Sequence, residues 1–306
     1  MTPELIPFAA EAHLDWRGLM QAFEDGHRRP QPDIKDLFCY RGPDTILDRA
    51  TWIDGIGALV KVATVVPGNA KRGKPTVNGA VTLYDDVTGE LSALVDFHLV
   101  TKWKTAGDSL LAASKLARKD SRRILLVGAG NVARSMVEAY RTIFPDAVFT
   151  VWSRNLASAE ALAGPLGLKS TTDLAAAVAG ADVICTCTLA TDPLIRGDWL
   201  RPGQHLDLIG AYRPDMREVD DAAIARGRLF VDARATTVHH IGELMRPLAA
   251  GAITEADVLA DYYDIPSGRF ARTSEDEITI AKNGGGAHLD LMTAAFILDR
   301  WRARSV

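Results

Sequence analysis

The composition of this 306-residue chain is typical of a globular protein with two ordinary domains, at 47% hydrophobic and 24% charged residues. The formal net charge is −4 and no block of Lys and Arg occurs, so we expect no binding to nucleic acid or to an anionic membrane surface. The first residues do not resemble a signal peptide, and no apolar stretch reaches the roughly 18 residues that a membrane span needs. We therefore expect a cytoplasmic protein.

The cysteines and histidines predict neither a disulfide framework nor a metal site. The chain has three cysteines, too few to cross-link a protein of this size. Cys185 and Cys187 lie two apart in a strand-like run, so both would face one side of that strand as small apolar residues. His239 and Glu243 share one helical face, yet a metal ion needs three or four ligands. We therefore expect no bound metal.

The first third of the chain predicts a helix followed by a sheet. Asp15 stands at a cap position before a helix over residues 16–27, in which Leu19 and Phe23 recur at helical spacing. Strand-like runs separated by Gly, Pro and Asp turns then follow at residues 51–53, 57–66, 79–84 and 91–95. These runs predict a mixed or antiparallel sheet, and residues 101–119 predict a long helix after it.

From Arg123 onward, strand and helix patterns alternate. Apolar runs typical of buried strands occur at residues 123–127, 147–152, 182–189, 204–209 and 228–232. This alternation predicts an α/β fold with a doubly wound parallel sheet, whose ligands bind at the carboxyl ends of the strands. A last helix is expected from about residue 287, and the sequence pattern leaves open which domain it packs on.

The segment after the first of these strands has the features of a dinucleotide site. Gly128-Ala129-Gly130 ends the strand and opens a helix. Gly128 would allow the turn, and Gly130 would let backbone N–H groups approach a pyrophosphate. A purely structural turn would also use glycine, but the position between a strand and a helix favours a Rossmann site. The predicted contacts with the cofactor are Gly128, Gly130, Asn131 and Val132.

The end of the second strand of this domain favours NADP(H) over NAD(H). An NAD site usually carries Asp or Glu there, which binds the ribose 2′-hydroxyl. This chain has Ser153 and Arg154 instead, whose hydroxyl and guanidinium can bond a 2′-phosphate. Arg154 could equally be a solvated loop residue, so NAD(H) stays possible. Thr188, at the end of a later strand, is predicted to be a further cofactor contact.

Five segments occur in an order that resembles one protein family. They are Gly57–Asn69, Thr101–Thr105, the turn at Gly128, Gly210–Asp220 and Lys282–Asp290. Together they resemble the ornithine cyclodeaminase/mu-crystallin family over nearly the whole chain. That family comprises ornithine cyclodeaminases, alanine dehydrogenases and reductases of cyclic ketimines. Its enzymes act on an amino or imino carbon next to a carboxylate, with hydride passing to or from nicotinamide.

The resemblance implies a homodimer of two-domain subunits. A discontinuous α+β domain, expected at residues 1–118 and 287–306, would bind the substrate and form the dimer contact. The Rossmann domain, expected at residues 119–286, would be inserted between those two segments. The resemblance also implies that the ligand beside the cofactor is a small carboxylate-bearing imine or amino acid.

Four residues of the first domain are expected to meet the substrate. Lys61 matches the family's catalytic lysine, and burial would let it act as an acid or base, whereas at the surface it would only extend into solvent. Lys104 stands where the family normally carries an Arg that grips the substrate carboxylate, so a point contact replaces a bidentate one. Arg41 is either a second carboxylate-binding residue or a surface residue. Thr82 is either a polar wall of the pocket or a packing residue.

Tyr212 is expected to contact the substrate, and it favours imine reduction over cyclodeamination. In ornithine cyclodeaminases the corresponding segment runs Gly-x-Asp, and that Asp engages the distal amine of the substrate. This chain has Gly210-Ala211-Tyr212, so ornithine would lack a partner that a cyclic imine does not need. Lys282 and Asn283 resemble the family segment near the nicotinamide, with Asn in place of the usual Ser, or else they form a plain glycine-rich turn.

These residues predict an NADPH-preferring reductase of a cyclic α-imino acid, with Δ1-pyrroline-2-carboxylate giving L-proline as the leading example. Lys61 would protonate the imine nitrogen, and Lys104 would hold the carboxylate. Two alternatives stay open. One is an ornithine cyclodeaminase or amino-acid dehydrogenase that uses NAD. The other is a non-catalytic protein that binds NADPH and a small acid, as mu-crystallins can.

Overall fold

The chain folds into two compact units, and the second is inserted into the first. The computed structural model describes residues 2–304. One unit contains the residues up to Lys104 and those from Gly286 onward, and the other runs from Thr105 to Gly285. The first boundary precedes the expected position at residue 118, because one continuous helix begins in the first unit and ends in the second.

A six-stranded mixed sheet forms most of the first unit. Its strands, in chain order, are β1 (Glu4–Ile6), β2 (Ile34–Arg41), β3 (Asp44–Ile53), β4 (Gly57–Val65), β5 (Val77–Tyr84) and β6 (Leu91–Val95). The spatial order is β1-β6-β5-β4-β3-β2, with β1 parallel to β6 and every other pair antiparallel. The predicted mixed sheet is therefore confirmed. Neither β1 nor β2 was predicted as a strand.

Two helices belong to this part of the chain, and both begin with an Asp cap. Helix α1 (Trp16–Gly26) starts where the Asp15 carboxylate accepts the N–H of Gly18 at 2.6 Å, and it buries Leu19 and Phe23. Helix α2 (Phe97–Leu116) starts where Asp96 accepts the N–H of Leu99 at 2.8 Å. These carboxylates satisfy backbone donors that a helix start leaves unpaired.

An eight-stranded parallel sheet forms the centre of the second unit. Its strands are β7 (Arg123–Val127), β8 (Val148–Trp152), β9 (Lys169–Thr171), β10 (Val183–Thr186), β11 (His205–Leu208), β12 (Arg228–Val231), β13 (Val258–Ala260) and β14 (Thr279–Lys282). Their spatial order is β13-β12-β14-β11-β10-β7-β8-β9. Every residue of β10, β11 and β14 is buried, as expected for strands covered on both faces. The predicted doubly wound α/β fold is confirmed.

Helices connect these strands, and the chain then returns to the first unit. They are α3 (Asn131–Tyr140), α4 (Leu156–Leu166), α5 (Leu174–Gly180), α6 (Asp221–Arg226), α7 (Arg234–Thr237) and α8 (Gly242–Ala249). The last helix, α9 (Ala287–Ala303), packs on β3, β4 and α1. The first unit therefore contains both ends of the described chain. No helix within residues 2–304 is long and apolar enough to cross a membrane.

Candidate functional site

The turn after β7 requires glycine at its first position. Gly128 has a φ of 123°, in the left-handed region that side chains disfavour. A Cβ at this residue would also lie 2.7 Å from the carbonyl oxygen of Cys187, which follows β10. Gly128 thus lets the ends of β7 and β10 approach each other. The chain passes from β7 to β8 on one side and later to β10 on the other side, so the strand order reverses at β7. Open α/β sheets bind ligands at such a point.

The start of α3 has room for an anion. Gly130 is its N-cap residue, supplies no side chain, and has no atom within 4 Å of the position that a Cβ would take. The first N–H groups of the helix, including those of Asn131 and Val132, have no partners within the helix. Backbone donors and an open approach fit the pyrophosphate of a dinucleotide.

The end of β8 carries no carboxylate. Ser153 is half-buried and Arg154 is exposed, and both directly follow the strand. The next residue, Asn155, caps α4 by accepting the N–H of Ala157 at 3.0 Å. The second strand of the site therefore presents a hydroxyl and a cation where NAD sites usually present an acid.

Thr188 lies one residue beyond Cys187, at the same edge of the sheet. Both its backbone N–H and its hydroxyl donate to the Glu218 carboxylate, at 2.8 and 2.7 Å. The hydroxyl oxygen also accepts the N–H of Ala190 at 3.3 Å, which leaves one lone pair for a further hydrogen bond. The structure thus holds Thr188 in one orientation beside the glycine turn.

The two residues at the end of β14 differ in what they can offer a cofactor. The ammonium of Lys282 is fully buried and donates to the carbonyl oxygens of Leu208, Ala211 and Asn283, at 2.7–2.8 Å. Its three protons are used within the protein, so the structure does not support the expected contact between Lys282 and the cofactor. The Asn283 side chain is 6% exposed, and neither atom of its amide has a hydrogen-bond partner among residues 2–304. Such an amide suits the carboxamide of nicotinamide.

The first unit contains a charged cluster formed by Arg49, Lys61, Lys104 and Asp290, in which Lys61 and Asp290 are buried and the other two are half-buried. The Lys61 ammonium donates to Asp290 Oδ1 at 2.7 Å, and Asp290 lies in the first turn of α9. The Arg49 guanidinium lies 3.5 Å from Asp290 Oδ2 and also contacts Asp36 at 2.8 Å. Arg49 and Lys61 meet because β3 and β4 pair them directly and their side chains share one face of the sheet.

Burial makes Lys61 a weaker base than an ordinary lysine. Burial and the repulsion by Lys104 and Arg49 lower the pKa of Lys61, and attraction by Asp290 raises it. The result is a pKa of about 8. The ring of Phe97 lies 5.0 Å from the ammonium and adds an apolar wall. Lys61 can therefore exchange a proton near neutral pH, as an acid or base catalyst must.

Asp290 stays ionised despite complete burial. Burial alone would raise the pKa of this carboxyl, but attraction by Lys61, Lys104 and Arg49 together lowers it below its ordinary value. The positive charge of Lys104 in α2 lowers the pKa of both Lys61 and Asp290, so Lys104 lies close to both groups. The structure therefore brings the predicted pair Lys61 and Lys104 together.

Asp290 and Arg49 were not predicted as site residues. Asp290 was recognised only as part of a motif at the start of the last helix. Nothing in the sequence placed that helix on β4. Arg49 lies in the part of β3 before residue 51, which was not predicted as a strand. A correct register between β3 and β4 would have revealed its pairing with Lys61.

A model of the ornithine cyclodeaminase/mu-crystallin family matches residues 54–305. The chain belongs to this family. It is 50% identical over 303 residues to Δ1-pyrroline-2-carboxylate reductase of Paracoccus denitrificans, with 96% of each chain covered. It is also 31% identical over 243 residues to ketimine reductase mu-crystallin of Rattus norvegicus, covering 79% of this chain and 75% of the relative. The predicted family, and its reductase branch, are confirmed.

Solved structures of the family share the fold. Δ1-Pyrroline-2-carboxylate reductase of Thermococcus litoralis, in complex with NADH and L-proline, superposes with a TM-score of 0.90 at 25% identity. The match covers 99% of this chain and 98% of that one.

Two residues expected to bind substrate lie away from Lys61. Arg41 is at the end of the β2–β3 hairpin, where it is exposed and forms an ion pair with Asp44 at 2.8 Å. Thr82 lies on the opposite face of the sheet from Lys61, because Lys61 pairs with Val81, and its hydroxyl donates to the Val60 carbonyl at 3.0 Å. Within the subunit, the structure does not support either residue as a substrate contact.

In the second unit, Tyr212 is half-exposed and carries the Arg213 guanidinium 5.4 Å from its ring centre. It offers no carboxylate to a distal amine. The two residues considered for a metal site separate, since His239 contacts Glu255 on the surface and Glu243 is buried. Residues 2–304 contain no cluster of three or more His, Cys, Asp or Glu side chains suited to a metal ion.

Proposed function

We propose that the protein is an NAD(P)H-dependent reductase of a cyclic α-imino acid, with Δ1-pyrroline-2-carboxylate giving L-proline as the leading reaction. The buried pair of Lys61 and Asp290 carries this proposal, because it provides a proton donor with a pKa of about 8 next to a fixed anion. The Paracoccus denitrificans reductase, 50% identical over 96% of both chains, supports the substrate class.

The residues of the first unit supply the proton and hold the substrate. When bound, reduced nicotinamide provides the hydride that adds to C2 of the imine. Lys61 donates a proton to the imine nitrogen, so that hydride and proton together convert C=N into CH–NH. Asp290 fixes the ammonium and balances part of the positive charge. Lys104 holds the substrate carboxylate by a single charged contact.

We further propose that the cofactor is NADP(H) in preference to NAD(H). The hydroxyl of Ser153 and the guanidinium of Arg154 bind the 2′-phosphate, and no carboxylate among residues 153–155 would repel it. Thr188 contacts the cofactor at the end of β10. The side-chain amide of Asn283, which lacks hydrogen-bond partners within residues 2–304, pairs with the nicotinamide carboxamide.

The assembly is proposed to be a homodimer formed through the sheet of the first unit. The sheet face opposite Lys61 is largely apolar and accessible: Leu37 is 58% exposed and Ile46 is 43% exposed. Val62 and Ala80 continue this face across β4 and β5. An exposed apolar patch of this kind marks a protein contact, and a second copy presents the same patch in a two-fold arrangement. The cytoplasmic location expected from the sequence stays a prediction.

A substrate panel tests the proposed reaction. Purified protein is assayed for oxidation of NADPH and of NADH with five- and six-membered cyclic ketimines, and separately for ammonia release from ornithine with NAD. We expect ketimine-dependent oxidation, lost in Lys61→Ala, and no ammonia release. Ammonia release without ketimine reduction would instead assign a cyclodeaminase. Turnover unaffected by Lys61→Ala would contradict the role of the lysine.

A further inference from the structure

We propose that Glu218 is a positioning residue that holds the cofactor-binding edge of the second unit in its binding geometry. The inference rests on the proposed function only in that a nicotinamide dinucleotide binds at this edge. Glu218 belongs to the loop between β11 and α6, is completely buried, and has no part in the chemistry described above. Its carboxylate accepts hydrogen bonds from residues at the carboxyl ends of two neighbouring strands, β10 and β11.

Four donors converge on the Glu218 carboxylate. Oε1 accepts the N–H of Thr188 at 2.8 Å and its hydroxyl at 2.7 Å. Oε2 accepts the hydroxyl of Thr186 and the N–H of Gly210, both at 2.7 Å. Thr186 ends β10, and Gly210 follows β11 by two residues. One side chain therefore sets the separation of two segments that border the dinucleotide turn.

The main chain of Glu218 is itself fixed. Its N–H donates to Glu243 at 2.8 Å, and its carbonyl oxygen accepts the N–H groups of Leu194 and Ile195 at 2.8 and 3.1 Å. A carboxylate attached to a fixed backbone can hold its partners in place, whereas one on a mobile loop would move with them.

Close packing transmits this geometry to the glycine turn. A Cβ on Gly210 would overlap the backbone of Thr188, so those two segments already touch. A Cβ on Gly128 would lie 2.7 Å from the carbonyl oxygen of Cys187, the residue before Thr188. Because the edge is packed from Gly210 through Thr188 to Gly128, loss of the carboxylate would shift the segments that meet the cofactor.

A carboxylate accepts from all four donors, because it has about four lone-pair sites and no proton to donate. Each of its oxygens faces one backbone N–H and one threonine hydroxyl. Glutamine at this position would turn an NH2 group toward one of the two backbone N–H groups, so at least that hydrogen bond would be lost, and the neighbouring hydroxyl would have to accept instead of donate. The effect would appear in cofactor affinity, because a lost buried hydrogen bond to a charged group changes an affinity about tenfold or more.

Direct binding of NADPH and NADH to the full-length protein, followed by fluorescence of the reduced nicotinamide without imine, tests the inference. We expect Glu218→Gln to raise the Kd at least about tenfold. The matched control is Asp207→Asn, which alters another fully buried carboxylate of the same unit, one that accepts the hydroxyl of Tyr140. The control is expected to change thermal stability but to leave the Kd within about twofold.

Coupling between two variants separates positioning from a general loss of stability. Thr188→Val removes a hydroxyl that donates to Glu218. The double variant is expected to raise the Kd by less than the product of the two single-variant increases. Independent, additive effects would overturn the inference, as would an unchanged Kd in Glu218→Gln. If Glu218→Gln does not fold, Thr186→Val must raise the Kd, because it removes the other hydroxyl that Glu218 accepts at a residue with no proposed cofactor contact.

These measurements stand apart from the reductase assay. A protein that binds NADPH normally but reduces no ketimine would contradict the proposed function and leave the role of Glu218 testable. A reductase whose Glu218→Gln variant keeps its KM for NADPH while losing only imine affinity would contradict the role of Glu218.

Discussion

At the scale of single residues, neighbouring groups control the pKa of Lys61, the proposed proton donor. The folded protein lowers the pKa of Lys61 from 10.5 to about 8. The donor form is present below that pH and is lost above it. We therefore expect kcat/KM for imine reduction to fall as the pH rises through about 8, since kcat/KM reports the ionisation of the free enzyme.

Asp290→Asn tests the control exerted by the neighbouring anion. Asp290 raises the pKa of Lys61 against the effects of burial, Lys104 and Arg49. Without that charge, the alkaline decline in kcat/KM should begin at lower pH than in the unmodified protein. Asp299→Asn is the control, because it makes the same change in α9 at a residue whose charged neighbours are Arg300 and Arg302. An unshifted profile in Asp290→Asn would contradict the pairing.

Arg154 allows a residue-scale test of cofactor choice. Arg154→Ala should raise the KM for NADPH about tenfold through loss of a charge-assisted bond to the 2′-phosphate. The KM for NADH should stay within about twofold, because NADH has no such phosphate. Arg201→Ala, at an exposed residue near the amino end of β11, serves as the control. Equal effects on both cofactors would mean that Arg154 does not read the phosphate.

Residue types alone revealed part of the site. Lys61 was predictable because it interrupts an otherwise apolar strand and matches a family motif. Lys282 also belongs to a family motif, yet its ammonium donates to three backbone carbonyl oxygens. Only the packing of β14 beside β11 distinguishes these two buried lysines. Asp290 was missed as a site residue because its partners lie on strands far away in the chain.

At the scale of elements, the turn from β7 into α3 separates structural from binding glycines. Gly128→Ala should lower the free energy of unfolding by about 2 kcal/mol or more, because of its positive φ and its contact with Cys187. Gly130→Ala should change that free energy by less than about 0.5 kcal/mol, since the added Cβ meets no atom.

The same two variants should behave differently toward the cofactor. Gly130→Ala places a methyl group where the pyrophosphate approaches, so the folded variant should bind NADPH more weakly. Chemical denaturation and NADPH titration measure the two effects. A stable Gly128→Ala protein, or a Gly130→Ala protein with unchanged NADPH affinity, would contradict the assignment of these roles.

Elements with strong periodic patterns were predictable. The helix predicted over residues 16–27 agrees with α1 at its start and to within one residue at its end, and the helix predicted from residue 287 agrees with the start of α9. Strand β2 was missed because all seven of its residues after Ile34 are exposed, on both faces, and mix charged with apolar side chains. A strand that is not half-buried leaves no alternating pattern to detect.

At the scale of the whole molecule, the exposed sheet face predicts the assembly. Leu37→Glu places a charge on that face and should convert the homodimer to a monomer, because a buried unpaired carboxylate opposes association. Val87→Glu adds the same charge at a residue that is 91% exposed in the turn between β5 and β6. Light scattering after size exclusion should show a dimer for this control. A monomeric unmodified protein would contradict the proposal.

The inserted order of the two units was suggested by the family resemblance rather than by local patterns. Periodicity predicted the helix α9 but not its partner, because an amphipathic face specifies burial and not the surface that covers it. Its return places Asp290 beside Lys61, so the proton donor depends on the first and last segments of the chain.

The central claim is that hydride and proton add across the C=N bond of a cyclic α-imino acid. The most direct measurement uses NADPH carrying deuterium at both positions of nicotinamide C4, with Δ1-pyrroline-2-carboxylate, and mass spectrometry with NMR of the product. The account predicts L-proline with deuterium at C2, and no such product from Lys61→Ala. Proline without deuterium at C2, or proline formed from ornithine with release of ammonia, would contradict it.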